Sequence, residues 1–185
     1  MNDFDFSLES LEQIPEFPFR LLKPHARTMD DLAKLLMEYE SEKIKMIVDK
    51  EFENENAIDA MLHVSKEIAR QFDNIFPSLS PQIRSKFPAL YHEQFQKRLE
   101  MVSERIRFNL QRGIAQGYYR SDLSVELISR LYLSRLIDIH NQDYFPPESF
   151  SFDVLFNQMF ENLIRSIATP KGLAYFEKQL QAHYQ

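Results

Sequence analysis

The chain has 185 residues, a mass of 22.1 kDa and a formal net charge of −6 at pH 7, a size typical of one domain at about 150 residues per domain. Its acidic first residues, Met1–Phe6, do not resemble an export signal, and it lacks the apolar run of about 20 residues that a membrane-spanning helix needs. The absence of cysteine excludes disulfides, thiolate nucleophiles and cysteine zinc sites. These features predict a soluble, cytoplasmic protein that does not bind membranes.

Glycine is also scarce, with only Gly113, Gly117 and Gly172 in the whole chain. A dinucleotide fingerprint and a Walker-type phosphate loop both need more closely spaced glycines, so neither can be built here. An all-β fold with many tight turns depends on glycine as well. An all-α fold is therefore expected.

Apolar residues recur at three- and four-residue spacings in nearly every window after residue 28, which is typical of helices. Thr28 and Asp31 form a capping-box-like pattern at the start of a helix that reaches about Phe52. Asn56 begins a second helix, and Pro77 ends it. The chain therefore opens, after its N-terminal segment, with two amphipathic helices.

Proline and glycine mark the bounds of the next two helices. A Ser-Pro pair at 80–81 opens a short helix that runs to Phe87. The longest helix is expected from Pro88 to about Gln116, a length of ~40 Å at 1.5 Å per residue. Gly117 is the predicted C-cap of this helix.

Two strongly apolar helices follow, one capped by Ser124 and one beginning at Ser151, with the rigid connector Phe145–Glu148 between them. Thr169-Pro170 opens a last short helix. Because the two helices are apolar around most of their circumference, we predict that they form a homodimer interface. The alternative is that other helices of the same subunit cover them. The predicted interface residues are Ile128, Leu131, Tyr132, Arg135, Leu136, Phe156, Met159, Phe160, Leu163 and Ile167.

Four segments of the C-terminal half, in this order and spacing, resemble the effector domain of bacterial TetR-type transcriptional repressors: Gly113–Leu123, Ile128–Arg135, Phe145–Glu148 and Ile167–Gly172. In that family a glycine-containing turn ends the long central helix, and the next two helices form a four-helix bundle with those of a second subunit. The resemblance implies an all-α ligand-binding and dimerisation domain over residues 28–185. It implies no cofactor.

Residues 1–27 are expected to form a divergent N-terminal segment. TetR-type regulators place a helix-turn-helix before the effector domain, but Pro15, Pro18 and Pro24 interrupt any recognition helix here. Residues 1–29 also carry a net charge of −2, five acidic against three basic residues, where a DNA-reading module should be basic. We therefore expect a degenerate or lost helix-turn-helix and impaired DNA binding.

Two alternative functions stay open at this point. One is a functional repressor that binds DNA through a divergent N-terminal module or through basic residues elsewhere. The other is a helical protein-interaction module without a ligand. Salt-dependent binding to duplex DNA would distinguish the first, and a bound apolar ligand would exclude the second.

The resemblance places a pocket for a small apolar or amphipathic ligand between the helices of the effector domain, lined by apolar and aromatic side chains with a few polar ones. For each candidate, ordinary core packing is the alternative interpretation. The candidate ligand-binding residues are Met61, Phe72, Phe76, Phe87, Tyr91, His92, Phe95, Met101 and Phe108.

Charged residues on the later helices allow two interpretations. Arg98, Arg105 and Arg112 recur every seven residues on the long helix, which indicates either an anion-binding surface or a solvated face paired with nearby glutamates. Arg135 and Asp138 lie three residues apart in an apolar helix. They are expected to pair with each other, to pair across the dimer, or to contact a ligand.

Catalysis has little support in the sequence. His92-Glu93 is not followed by the second histidine of a zincin helix, and no two histidines have metal-ligand spacing. The carboxylates between Glu38 and Glu55, Glu40 among them, alternate with lysines as on a solvated helix face. We expect no enzymatic activity and no bound metal.

Overall fold

The computed structural model describes residues 24–49, 55–75, 80–139, 141, 143–146 and 148–183, excepting the side chains of residues 71–75, 80–82 and 183. This part of the chain folds into seven helices and contains no strand, so the predicted all-α class is confirmed. The helices are α1 Met29–Val48, α2 Ala57–Ile75, α3 Ser80–Lys86, α4 Pro88–Ala115, α5 Val125–Asp138, α6 Phe152–Ile167 and α7 Pro170–His183.

Side-chain caps explain where three of the helices begin. Before α1, the Thr28 hydroxyl accepts a hydrogen bond from the Asp31 N–H at 3.1 Å, and the Asp31 carboxylate accepts one from the Thr28 N–H at 3.0 Å. The Asn56 side chain accepts from the Asp59 N–H at 3.0 Å at the start of α2. Ser124 caps α5. These bonds satisfy backbone donors that have no partner inside the helix, and they confirm the predicted starts.

The described residues form two compact units. The first combines the described residues up to Ile44 with Asn74–Arg98. Its core consists of residues from α1 and the segment before it, together with Ile83 of α3. The side chains buried there are Ala26, Leu32, Ala33, Leu36, Met37 and Ile83.

The second unit comprises Lys45–Asp73 and the residues from Leu99 onward. Helix α5 contacts α6, and α6 contacts α7. The rings of Phe160 and Phe176 meet edge to face, 6.3 Å apart, between α6 and α7. Full burial of such side chains stabilises the fold by roughly 1.5–3 kcal/mol each. The larger members of this core are Ile58, Leu62, Ile106, Leu110, Tyr119, Tyr132, Phe156, Met159, Phe160, Ile164, Ile167 and Phe176.

All three glycines lie at one junction, where the end of α4 meets the start of α7. Gly117 has φ +72°, a conformation that favours glycine, and ends α4 as the sequence predicts. A Cβ atom on Gly113 would lie 2.0 Å from the Tyr119 ring, and one on Gly172 would lie 2.1 Å from the Tyr118 carbonyl oxygen. Glycine is therefore required at Gly113 and Gly172 for space and at Gly117 for backbone conformation.

Backbone hydrogen bonds hold the same junction to the end of α6. The Arg120 N–H donates to the Ile167 carbonyl and the Thr169 N–H donates to the Tyr118 carbonyl, both at 2.9 Å. The Gln116 side chain accepts from the Ala57 N–H at 2.8 Å and so caps α2. The turn therefore ties four helices of the second unit together.

Candidate interface and ligand-binding residues

The outer face of α5 carries large apolar side chains that the subunit leaves exposed. Leu127, Leu131 and Ile137 are 55%, 52% and 41% exposed. Leu127, Leu131, Ser134 and Asp138 follow one another at helical spacings of four, three and four residues, so they form a single stripe along the helix. This stripe, with Ile137 and Arg135 at its edges, is called the α5 face below.

The opposite side of α5 is packed into the core of the second unit. Tyr132 is buried there, and burial raises the pKa of its hydroxyl above the ordinary value. Ser129 is fully buried, and its hydroxyl donates to the Glu126 carbonyl at 2.9 Å. Helix α5 therefore has one side committed to its own subunit and one side open.

The structure divides the predicted interface residues into two groups. One group is buried inside the subunit, which agrees with the alternative that other helices of the same subunit cover α5 and α6. It includes most of the predicted interface residues of α6. Its members are Tyr132, Phe156, Met159, Phe160 and Ile167. In the other group, Leu131 and Arg135 are exposed, and Ile128, Leu136 and Leu163 are half-buried. Leu127 and Ile137 were not selected from the sequence, because a helix that is apolar all round gives no sign of which side faces out.

The exposed side of α6 is largely polar. Gln158, Asn162 and Arg165 are exposed there, and Arg165 donates to Glu177 of α7 at 2.9 Å. Val154, 59% exposed near the start of the helix, is the exception. Among the described residues of these two helices, the exposed apolar surface therefore belongs mainly to α5.

Charged groups at the two ends of α5 are partnered differently. Near its start, Glu126 binds Arg107 at 2.9 Å and Arg130 at 2.5 Å. Near its end, Arg135 and Asp138 are both exposed, and neither forms an ion pair within the part of the chain that the structure describes. The predicted pairing of these two residues with each other is thus not formed in the single subunit.

Four of the candidate ligand-binding residues lie in the first unit. Phe87 and Tyr91 are partly buried against its core. The Tyr91 and Phe95 rings stack on one face of α4, 5.8 Å apart with planes 11° from parallel. The Arg84 guanidinium lies 6.0 Å from the centre of the Tyr91 ring, while His92 is exposed.

The remaining candidate ligand-binding residues lie in the second unit or outside the part of the chain that the structure describes. Met61 is partly buried against the second unit's core, and Met101 is half-buried. Phe108 is exposed on α4. The Phe72 side chain and all of Phe76 lie outside the described residues.

A buried ion pair in the first unit was not foreseen. Glu40 of α1 is 1% exposed, and its carboxylate accepts from Arg98 of α4 at 3.2 Å. The placement of Glu40 on a solvated face was wrong, because it lies four residues from both Leu36 and Ile44 and shares their buried side.

The basic residues of α4 are engaged in ion pairs rather than presented as a free stripe. Arg98 binds Glu40, and Arg105 binds Asp49, just after α1. These two carboxylates come from other parts of the chain, whereas Lys97 binds Glu93 of α4 itself at 2.7 Å, as expected for a solvated helix face. This pairing favours the interpretation of the α4 arginines as part of an ion-paired surface.

The described residues contain neither a membrane-spanning helix nor a cluster of metal-ligating side chains. None of their helices is both long and apolar enough to cross a membrane. The same residues contain no group of three potential metal-ligating side chains.

No family model and no curated protein matches the sequence. Among solved structures, the chain is similar to the ketosteroid transcriptional regulator KstR2 of Mycobacterium tuberculosis, at 15% identity and a TM-score of 0.53. The match covers 82% of this chain and 79% of that chain. KstR2 is a TetR-family regulator and not a member of an enzyme family. The chain therefore has an all-α fold that resembles the fold of TetR-type transcriptional regulators.

Proposed function

We propose that the chain is the effector and dimerisation part of a TetR-type transcriptional regulator, which acts in the cytoplasm as a homodimer and responds to a small apolar or amphipathic ligand. The α5 face is the observation that carries this proposal. It presents three large apolar side chains to solvent on a chain whose fold resembles a transcriptional regulator. No enzymatic step is part of the proposal.

Dimerisation would remove the α5 face from water. Contiguous exposed apolar surface on a folded subunit marks contact sites. In a two-fold symmetric dimer both copies use the same patch. Leu127, Leu131 and Ile137 would therefore be buried on each of the two subunits. At roughly 25 cal/mol per Å² of apolar surface, burial of these side chains supplies a favourable contribution at the centre of the contact.

The dimer is tested by multi-angle light scattering over a range of protein concentrations. We expect the wild type to have twice the 22.1 kDa mass of the chain and Leu131→Glu to be monomeric, because the variant would bury an unpaired charge. Met46→Glu is the matched control, since Met46 is 66% exposed on α1 and its replacement should leave the dimer intact. A wild type that is monomeric throughout would refute the proposed dimer.

The aromatic group of the first unit is proposed to contact the ligand. Phe87, Tyr91 and Phe95 offer half-buried rings, and the same unit buries the polar side chains of Glu40 and Gln94. Apolar walls with few polar groups suit an amphipathic molecule. The name of KstR2 links that protein to ketosteroids, so a ketosteroid is a reasonable first probe for this chain.

Ligand binding is tested by thermal shift with progesterone and, separately, palmitate as probes. A binding probe should raise the melting temperature in proportion to its concentration, and Tyr91→Ala should reduce that rise. Tyr144→Ala is the control, because Tyr144 is 69% exposed in the second unit. If both variants respond to the probe like the wild type, the aromatic group of the first unit is not the site.

A further inference from the structure

We propose that the segment between α5 and α6, with the first turn of α6, is a docking surface for an arginine-containing segment of a partner protein. It is called the connector surface below. The inference goes beyond the proposed function, because it concerns neither the dimer contact on the α5 face nor the aromatic group of the first unit. The members of the connector surface are Asp143, Tyr144, Glu148, Phe150, Asp153 and Val154.

The connector surface exposes large apolar side chains. Tyr144, Phe150 and Val154 are 69%, 43% and 59% exposed. Single exposed apolar residues are ordinary on a protein surface. Three of them in so short a segment form a concentration that is typical of contact sites.

Hydrogen bonds and one ring contact give this segment a defined conformation. The N–H groups of Tyr144 and Phe145 donate to the Asn141 carbonyl at 3.1 and 2.9 Å. The Phe150 N–H donates to the Pro146 carbonyl at 3.0 Å. The rings of Phe145 and Phe150 meet edge to face with their centres 5.8 Å apart. The exposed side chains are therefore held in place before a partner binds, which reduces the entropy cost of docking.

The charge of the connector surface is entirely negative. From residue 136 to residue 164 the chain contains five acidic residues and no lysine or arginine. Asp143, Glu148 and Asp153 are exposed, and none forms an ion pair with another residue that the structure describes. A hydrogen bond from the Ser151 side chain lowers the pKa of Asp153, so this carboxylate is ionised at neutral pH.

Carboxylates beside aromatic rings suit a guanidinium group. A guanidinium can bind a carboxylate through two parallel hydrogen bonds and can also stack on a ring, whereas an ammonium group has no plane to stack. The second unit contains such an arrangement. The Arg165 guanidinium donates to Glu177 at 2.9 Å and lies 5.7 Å from the centre of the Phe176 ring. The connector surface offers the same two kinds of acceptor, and its own segment supplies no arginine to them.

Other occupants fit the connector surface less well. A second copy of the chain would place three carboxylates opposite three carboxylates, and such like-charge contacts are unfavourable. Nucleic acid and an anionic membrane would be repelled for the same reason. A basic segment that also carries apolar side chains complements both the charge of this surface and its exposed Val154.

Fluorescence anisotropy of the full chain tests the inference with a fluorescein-labelled synthetic peptide of alternating arginine and leucine. We expect saturable binding of one peptide per chain. A peptide with lysine in place of arginine should bind at least about threefold more weakly, because it cannot stack on the rings. Equal binding of the two peptides, or no binding of the arginine peptide, would overturn the inference.

Substitutions locate the bound peptide. Tyr144→Ala and Glu148→Gln should each raise the dissociation constant at least about threefold. The matched controls are Tyr39→Ala, at a tyrosine that is 55% exposed on α1, and Glu104→Gln, at an exposed glutamate of α4. Both should leave the dissociation constant unchanged. Weakening by the controls equal to that by Tyr144→Ala and Glu148→Gln would show attraction to the net charge alone and would contradict the inference.

Light scattering of Tyr144→Ala separates this inference from the proposed function. We expect the variant to keep the mass of the wild type. A variant that becomes monomeric beside a dimeric wild type would assign the connector surface to a contact between copies, and the inference would then be wrong. A wild type that never dimerises refutes only the proposed dimer, because peptide binding is measured independently.

Discussion

At the α4–α7 junction, the room left by neighbouring atoms determines which residue a position can hold. The Tyr119 ring is 1% exposed and lies against Gly113. Its hydroxyl donates to Asn109 at 3.2 Å, and the Asn109 amide in turn donates to the Ala57 carbonyl at 2.9 Å. One buried tyrosine therefore connects the turn after α4 to the start of α2, and changes beside it should be felt across the second unit.

Gly113→Ala should destabilise the fold because its methyl group would overlap the Tyr119 ring, which has no room to move. We expect a loss of about 1–3 kcal/mol in the free energy of unfolding, as for other overpacked cores. In a Tyr119→Ala background the same substitution should cost much less. The four variants of this cycle are compared by urea denaturation, and an equal cost in both backgrounds would rule out the ring as the cause.

The two buried tyrosines should make the free energy of unfolding depend on pH in the alkaline range. Burial raises the pKa of Tyr119 and of Tyr132 above the ordinary 10.0, so in the folded state both stay protonated where the unfolded chain ionises. Their contribution to stability is complete below about pH 10 and is lost as the pH rises further, by up to about 1.4 kcal/mol per pH unit for each group.

This loss is measured by urea unfolding from pH 8 to pH 11. Tyr119→Phe should lower the free energy of unfolding at every pH, because Asn109 loses a hydrogen bond, but should also make its decline above pH 10 less steep. An unchanged slope would mean that Tyr119 ionises as readily in the folded protein as in the unfolded chain.

At the scale of elements, helix starts follow local capping chemistry. Ser124 and Ser151 occupy the same position before α5 and α6, and both have extended backbone. Ser124 accepts a hydrogen bond from the Leu127 N–H at 3.3 Å, whereas the Ser151 side chain makes no cap bond. The two serines therefore form a matched pair within one protein.

Ser124→Ala should destabilise the protein by about 1 kcal/mol, the usual value for a lost N-cap bond. Ser151→Ala removes a hydroxyl that makes no cap bond and only contacts the exposed Asp153 carboxylate, so it should cost clearly less. Chemical denaturation of both variants beside the wild type measures the difference. Equal losses would show that the Ser124 bond adds nothing specific.

At the scale of the whole molecule, charge is distributed unevenly along the chain. Residues 30–59 carry ten acidic and four basic residues, a net of −6, whereas residues 80–120 carry eight basic and three acidic ones, a net of +5. Two of the basic residues in the latter segment, Arg98 and Arg105, bind carboxylates of the former segment. The positive segment is therefore partly neutralised within the chain, which reduces its value as a surface for nucleic acid.

We expect no sequence-specific binding to duplex DNA, because the predicted reading segment is acidic and the basic segment is internally paired. Fluorescence anisotropy with the DNA upstream of the protein's own coding sequence, at low and moderate salt, measures this directly. Weak binding that disappears at moderate salt would be non-specific. Specific binding that persists there would favour the alternative of a functional repressor.

Much of the fold could be predicted because its signals are local. The cap at Thr28, the cap at Asn56 and the left-handed Gly117 each lie within a few residues of the helix end that they determine. The site could be predicted less well. Glu40 was misplaced and Leu127 was missed, because the burial of a side chain depends on helices that are distant in sequence.

The sequence by itself determined the helical class, the starts of most helices and the resemblance to TetR-type regulators, since spacing, capping and glycine scarcity are properties of short segments; the end of α1 was expected near Phe52 but lies at Val48. Only the tertiary structure decided which side of α5 is exposed to solvent. It also decided that most apolar side chains of α6 are buried within the subunit. A helix that is apolar all round has no preferred face of its own. The helices packed against it determine which face is buried, and here they leave Leu127, Leu131 and Ile137 exposed.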